Sequence, residues 1–222
     1  MMRPDRPLLC LVTDRRRLDP AAADPGLAHR RLIALAQAAV TAGVDMIQVR
    51  ERDLDTRSLM SLVEAILHAA RGSTTQVVVN DRVDVAIACG AAGVHLRSDS
   101  MPAARVRSLV PPGFLVGRSV HTADEAVRSA PGADYLIAGT VFSTPSKSAQ
   151  QPLLGTRGLE AIVNAVPIPV LAIGGITLDR AAEVAACGTA GLAAIRLFLS
   201  PTPMAHLVED VRATFDRVRV GS

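Results

Sequence analysis

At 222 residues, 49% hydrophobic and 20% charged, the chain is long enough to bury one large core. Its net charge of +3 comes from scattered arginines and its aromatic content is only 2%, so it offers neither a basic stripe nor stacking platforms, and nucleic-acid binding is set aside. Cys10, Cys89 and Cys187 lack metal-like spacing, the N-terminal apolar segment is too brief for a signal peptide, and Asn164, Pro167, Pro169 and two glycines break the longest uncharged stretch; these features predict a cytoplasmic protein with no membrane partner.

Leu8–Val12 reads as a first strand, followed by the polar loop Thr13–Arg17. Asp24-Pro25 suits a helix start and Gly43 its stop. Met46–Arg50 is a second strand, and Leu59, Val63, Ile66, Leu67 and Ala70 share one face of the next helix, which Gly72 ends. Val77–Val79 is a third strand, with Asp81 expected to cap the short helix that runs to Gly90. Gly93–Leu96 is a fourth, with Pro102 in the first turn of its helix. A fifth begins at Phe114–Gly117, ahead of the capping box Thr122–Glu125. Tyr135–Ala138 is a sixth, and a long polar loop from Gly139 to about Leu154 follows it. Val170–Ile173 is a seventh, ending in Gly174-Gly175, and Leu192–Ile195 is an eighth before a last helix that ends near Arg217.

Strand and helix thus alternate eight times over residues 1–222 with no linker. This pattern predicts a single-domain α/β fold, a (β/α)8 TIM barrel, with a doubly wound open sheet as the alternative. In a barrel, every loop that follows a strand opens on the same face, so distant polar residues converge there. The convergent set includes Gln48, Arg50, Arg52 and Asn80, the loop Arg97–Ser100, Arg118 and His121, then Thr144, Ser146 and Lys147, and finally Gly174, Gly175, Ile195 and Arg196. Cations, hydroxyls and glycine amides in this combination suit a phosphorylated small molecule held at two places, with one anion on glycines beside a helix N-terminus and another on Arg and Lys. His121 stands one residue before a capped helix, whose dipole favours a neutral imidazole able to give and take a proton. His95, inside a strand, reads as a satisfied core histidine, and His29, His68 and His206 as surface residues of helices. Asp81 and Asp99 are the carboxylates placed for a divalent metal, a role that helix capping by Asp81 argues against.

Taken together, the segments Val12–Arg15, Gln48–Arg52, Asn80-Asp81, Gly93–Leu96, Thr144–Lys147 and Ile173–Ile176 resemble the thiamine phosphate synthase and TenI superfamily over nearly the whole chain. The resemblance implies the same barrel, a thiazole phosphate ligand and a homodimer. The synthase branch joins that thiazole to a hydroxymethylpyrimidine diphosphate around Mg2+ held by two acidic residues. Asp81 matches the first of these, Ser100 stands at the second with Asp99 beside it, and Arg52 replaces a lysine. Gln48, Arg50, Asn80 and Lys147 match residues that handle the diphosphate substrate. The TenI branch, a metal-independent thiazole tautomerase, resembles the chain more closely in Arg50–Arg52 and in Gly117–His121, which makes His121 the implied acid/base with no cofactor required. That likeness makes the tautomerase the leading expectation and the synthase the alternative, with a non-catalytic thiazole-phosphate-binding regulator as a reading of another class. Arg196 departs from the small polar residue usual in both branches, and either strengthens phosphate binding or blocks the backbone amides.

Overall fold

The computed structural model describes residues 6–18, 25–144 and 152–220. Eight strands close into one parallel barrel: β1 (Leu8–Val12), β2 (Met46–Val49), β3 (Gln76–Asn80), β4 (Gly93–Leu96), β5 (Leu115–Val120), β6 (Tyr135–Gly139), β7 (Val170–Ile173) and β8 (Gly191–Ala194). The ring closes through the pairing of Leu9 with Leu192 and of Leu11 with Ala194. The open-sheet alternative is thereby excluded. Around it run α1 (Arg15–Leu18), α2 (Pro25–Thr41), α3 (Thr56–Ala69), α4 (Val83–Ala88), α5 (Ala103–Arg107), α6 (Ala123–Ser129), α7 (Gly155–Ala165), α8 (Ala181–Ala186) and α9 (Met204–Val220). Among the described residues, no helix is long and apolar enough to cross a membrane.

Successive strand residues point to opposite faces, so one strand feeds two cores. Leu9, Leu11, Leu136 and Ala138 face outward, into the layer shared with the helices. Cys10, Val12, Tyr135 and Ile137 point inward and fill the barrel with Met46, Val78, Leu171 and Ala193. The lower end is tied by Asp45, which accepts the Leu9 N–H at 2.9 Å and pairs with Arg212 at 3.1 Å. With the interior filled and that end closed, the open end is left to the loops that follow the strands.

β5 is longer than its apolar run suggests. Its Arg118, Ser119 and Val120 pair with Leu136, Ile137 and Ala138 of β6, so tertiary pairing carries the strand past Gly117. β8 begins at Gly191 and ends at Ala194, which leaves Ile195 to the following turn.

Candidate active site

The C-terminal mouth of the barrel is a cavity of about 640 Å3 that brings together Gln48, Arg50, Arg52, Asn80, His121, Thr144, Gly174, Gly175, Ile195 and Arg196. Ser146 and Lys147 lie outside the described residues.

On the β1–β3 side, a buried network fixes the backbone beside the cavity. The Thr13 hydroxyl donates to Glu51 at 2.8 Å and accepts the Arg50 N–H at 2.9 Å. Arg15 adds its own N–H at 3.1 Å and its guanidinium at 2.9 Å to the same carboxylate. Burial raises the Glu51 carboxyl above its ordinary range, against the opposing pull of Thr13 and Arg15. From this anchored segment the Arg50 side chain enters the cavity, where burial first and repulsion by Arg52 second lower its affinity for its proton. A partly desolvated guanidinium facing a second cation gains from a bound anion. Next to it, buried Gln48 donates from Nε2 to Asn80 Oδ1 at 3.0 Å.

The β3–β5 side corrects two expectations. Asp81 does not cap α4; the preceding-turn position belongs to Arg82, with no side-chain cap. Asp81 has φ +64°, a left-handed conformation that Asp tolerates, and its carboxylate turns to the β4–α5 loop, where Ser100 donates to it. His95 is not satisfied either: its Nε2 meets Ser119 Oγ at 2.9 Å, but Nδ1 has no hydrogen-bond partner among the described residues. Its ring lies 5.7 Å from that of Tyr135, and burial, helped by Arg118, pulls its pKa down to about 3. His95 is therefore neutral at physiological pH. Arg118 is a scaffold rather than a ligand, donating to the carbonyls of Met101 at 2.7 Å and Ser98 at 2.9 Å.

His121 stands at the end of β5, exposed and on the cavity wall. Its Nδ1 lies 2.6 Å from the Gly139 carbonyl, so that nitrogen carries the proton, and Nε2 faces Ser98 Oγ at 3.4 Å. The capping box forms with a twist in its second half: Thr122 accepts from Glu125 N at 3.1 Å, while the Glu125 carboxylate accepts the N–H of His121 at 2.6 Å. Reading the box from sequence identified the cap but missed that Glu125 positions His121.

Across the mouth, Gly174 and Gly175 have φ values of +105° and +64°. A Cβ on Gly175 would lie 2.5 Å from Ser143 O, and one on Gly174 would lie 2.5 Å from Thr140 Cγ2, so the β6–α7 loop packs directly on the glycine corner. The helix start expected here is displaced: a 3-10 turn over Leu178–Arg180 intervenes and α8 begins at Ala181. A second 3-10 turn starts at Arg196, which keeps backbone N–H groups near the corner, with the Arg196 side chain exposed on the cavity rim.

No three His, Cys, Asp or Glu side chains cluster for a metal among the described residues. Near Asp81 the donor set is poor. The Ser100 hydroxyl is neutral, and the guanidinium of Arg97 lies 3.9 Å from Asp81 and pairs with Asp99. A cation already sits between the two carboxylates that a divalent ion would need, so these residues do not fit a protein-held Mg2+.

A profile of the family described as thiamine monophosphate synthase matches residues 10–198. A thiamine-phosphate synthase of Roseiflexus castenholzii is 40% identical over 202 residues, 90% of this chain and 85% of that protein. One from Methanoculleus marisnigri is 44% identical over 162 residues, 72% of this chain and 77% of its own length. Among solved structures, a thiamine phosphate pyrophosphorylase from Pyrococcus furiosus matches with a TM-score of 0.79 at 33% identity, over 95% of this chain and 96% of that chain. These matches favour the synthase name, and nothing in them singles out the TenI branch expected from the sequence.

Proposed function

The chain belongs to the thiamine monophosphate synthase family, an enzyme family of thiamine biosynthesis, and from that premise we propose that it couples a thiazole phosphate to a hydroxymethylpyrimidine diphosphate with release of inorganic diphosphate. One observation carries the reading: a single cavity presents anion-seeking groups at two places on its rim. Arg50, Arg52 and Arg97 follow β2 and β4, whereas Gly174, Gly175 and Arg196 follow β7 and β8, separated in the closed ring from β2 by β1 and from β4 by β5 and β6. A single monophosphate needs only one of these places.

In the coupling, the pyrimidine methylene carbon loses its bond to the diphosphate oxygen, and the electron pair leaves with the diphosphate. The thiazole ring nitrogen supplies the pair for the new C–N bond. Negative charge grows on the departing diphosphate, and guanidinium groups set beside it beforehand stabilise that charge without reorganising. Gln48 and Asn80, locked to each other, offer the spare carbonyl of one and the spare N–H of the other to the pyrimidine edge. The glycine corner holds the thiazole phosphate through backbone N–H groups.

A second reading has its own observation. His121 is held from two sides, its ring by Gly139 and its backbone by Glu125, and its Nε2, beside Ser98 Oγ, is the acceptor nitrogen of a ring that lines the cavity. Such a group suits proton transfer on a carboxylated thiazole phosphate, with the arginines holding the carboxylate. Supplying both substrates and following thiamine phosphate and diphosphate by chromatography tests the coupling. Absence of product, with conversion of the carboxythiazole tautomer by the same preparation, replaces the coupling with the tautomerase.

A further inference from the structure

Arg97 lines the main cavity with Arg50 and Arg52 and, like Arg52 and Asn80, also walls a side pocket of about 170 Å3 that contains Asp81. Asp81 lines the side pocket and not the main cavity, and the Arg97 guanidinium lies 3.9 Å from its carboxylate, so Arg97 is a cation in reach of both that carboxylate and the space where a substrate would lie. From this juxtaposition we infer that Arg97, with Arg50 and Arg52, supplies the positive charge that a divalent cation would otherwise bring to a diphosphate, and that this chain takes the diphosphate without a protein-held metal. The inference deepens the coupling reading and rests on it.

The loop carrying Arg97 is built to present it. Ser100 Oγ accepts the Arg97 N–H at 3.0 Å and donates to Asp81, tying the loop to the end of β3. Arg118, itself buried, binds the carbonyls of Ser98, Ser100 and Met101 from beneath. A backbone held this way costs little further ordering when the side chain engages an anion. The charge balance points the same way. Arg97 alone meets both Asp81 and Asp99, and Asp99 is 65% exposed and can release Arg97 toward the cavity at small cost. Burial and the neighbouring Arg52 disfavour the charge on Arg50 more than Asp14 and Glu51 favour it, so a bound anion adds to its stabilisation. A planar fork on Arg97 can also grip two phosphate oxygens at once, which a point charge cannot.

Calorimetric titration of the full chain with inorganic diphosphate, in EDTA and then in Mg2+, tests the inference. Wild type binds in EDTA, with affinity changed less than about threefold by Mg2+. Arg97→Ala loses about tenfold or more, the loss of one charge-assisted contact. Asp99→Asn, which removes the competing partner and keeps the fold in case Arg97→Ala does not, binds more tightly than wild type. Binding that appears only with Mg2+, or that neither substitution changes, overturns the inference. The coupling assay in Mg2+ is read separately: product there, with no diphosphate binding in EDTA, removes the inference and keeps the coupling, whereas metal-free binding without product in any buffer removes the coupling.

Discussion

The ring nitrogen Nδ1 of His121 lies 2.6 Å from the carbonyl oxygen of Gly139, so the end of β6 sets the tautomer of a histidine carried on β5. The other nitrogen then faces Ser98 and the cavity as an acceptor. If coupling is the chain's reaction, this group lines the site without moving the decisive proton. His121→Ala should therefore keep kcat/KM for coupling within about tenfold, whereas loss of a general acid/base costs about 10²–10⁴-fold. Steady-state kinetics on both substrates separates the two.

Gly175→Ala places a Cβ 2.5 Å from Ser143 O at a positive φ. The backbone cannot give without moving the β6–α7 loop. Thermal denaturation should show a loss of at least about 1 kcal/mol, and KM for the thiazole phosphate should rise more than KM for the diphosphate.

Glu51 is 2% exposed and holds Thr13 and both the backbone and side chain of Arg15. Replacing it by Ala leaves the Arg15 guanidinium to Asp53 alone and takes the acceptor from the Thr13 hydroxyl and the Arg15 N–H. Chemical denaturation should report a loss of about 1–3 kcal/mol. Because Thr13 also holds the Arg50 N–H, diphosphate affinity should fall with it. Glu51→Gln keeps acceptors for Thr13 and should recover part of both.

His95 gives the barrel a pH dependence whose sign is fixed. Its folded pKa of about 3 lies below the ordinary value of 6.5, so between these the unfolded chain binds a proton that the folded one does not. The full contribution to stability is present above pH 6.5 and is lost as the pH falls toward 3. Urea midpoints at successive pH values should decline over that window in wild type, and His95→Asn should flatten the slope.

The barrel was legible because each strand is a short apolar run closed by Gly or by polar residues, and each helix carries one apolar face. Leu59, Val63 and Ile66 were read on one face of α3 and are buried there. The cavity residues were legible through one rule, that loops after parallel strands share a face. What could not be read depends on directions that spacing does not encode. Asp81 looked like a cap because of its position before a helix, but a left-handed backbone turns it to Ser100. His95 looked satisfied because buried histidines usually are, yet Tyr135 packs near its ring and Nδ1 finds no partner among the described residues. Arg97 was one loop residue among several until the fold set it within reach of both Asp81 and the cavity. The branch within the family was read from Ser100 and Arg52, which depart from the synthase pattern, and from the TenI likeness of Arg50–Arg52 and Gly117–His121, whereas the relatives favour the synthase over the tautomerase.

The most direct measurement is coupling itself, with both heterocyclic substrates supplied to the purified full chain and thiamine phosphate and inorganic diphosphate quantified together. The account predicts the two products in equal amounts, with a rate that falls at least about tenfold in Arg50→Ala, whose side chain lines the cavity after β2. Carboxythiazole isomerisation without any coupling product, abolished by His121→Ala, would contradict it.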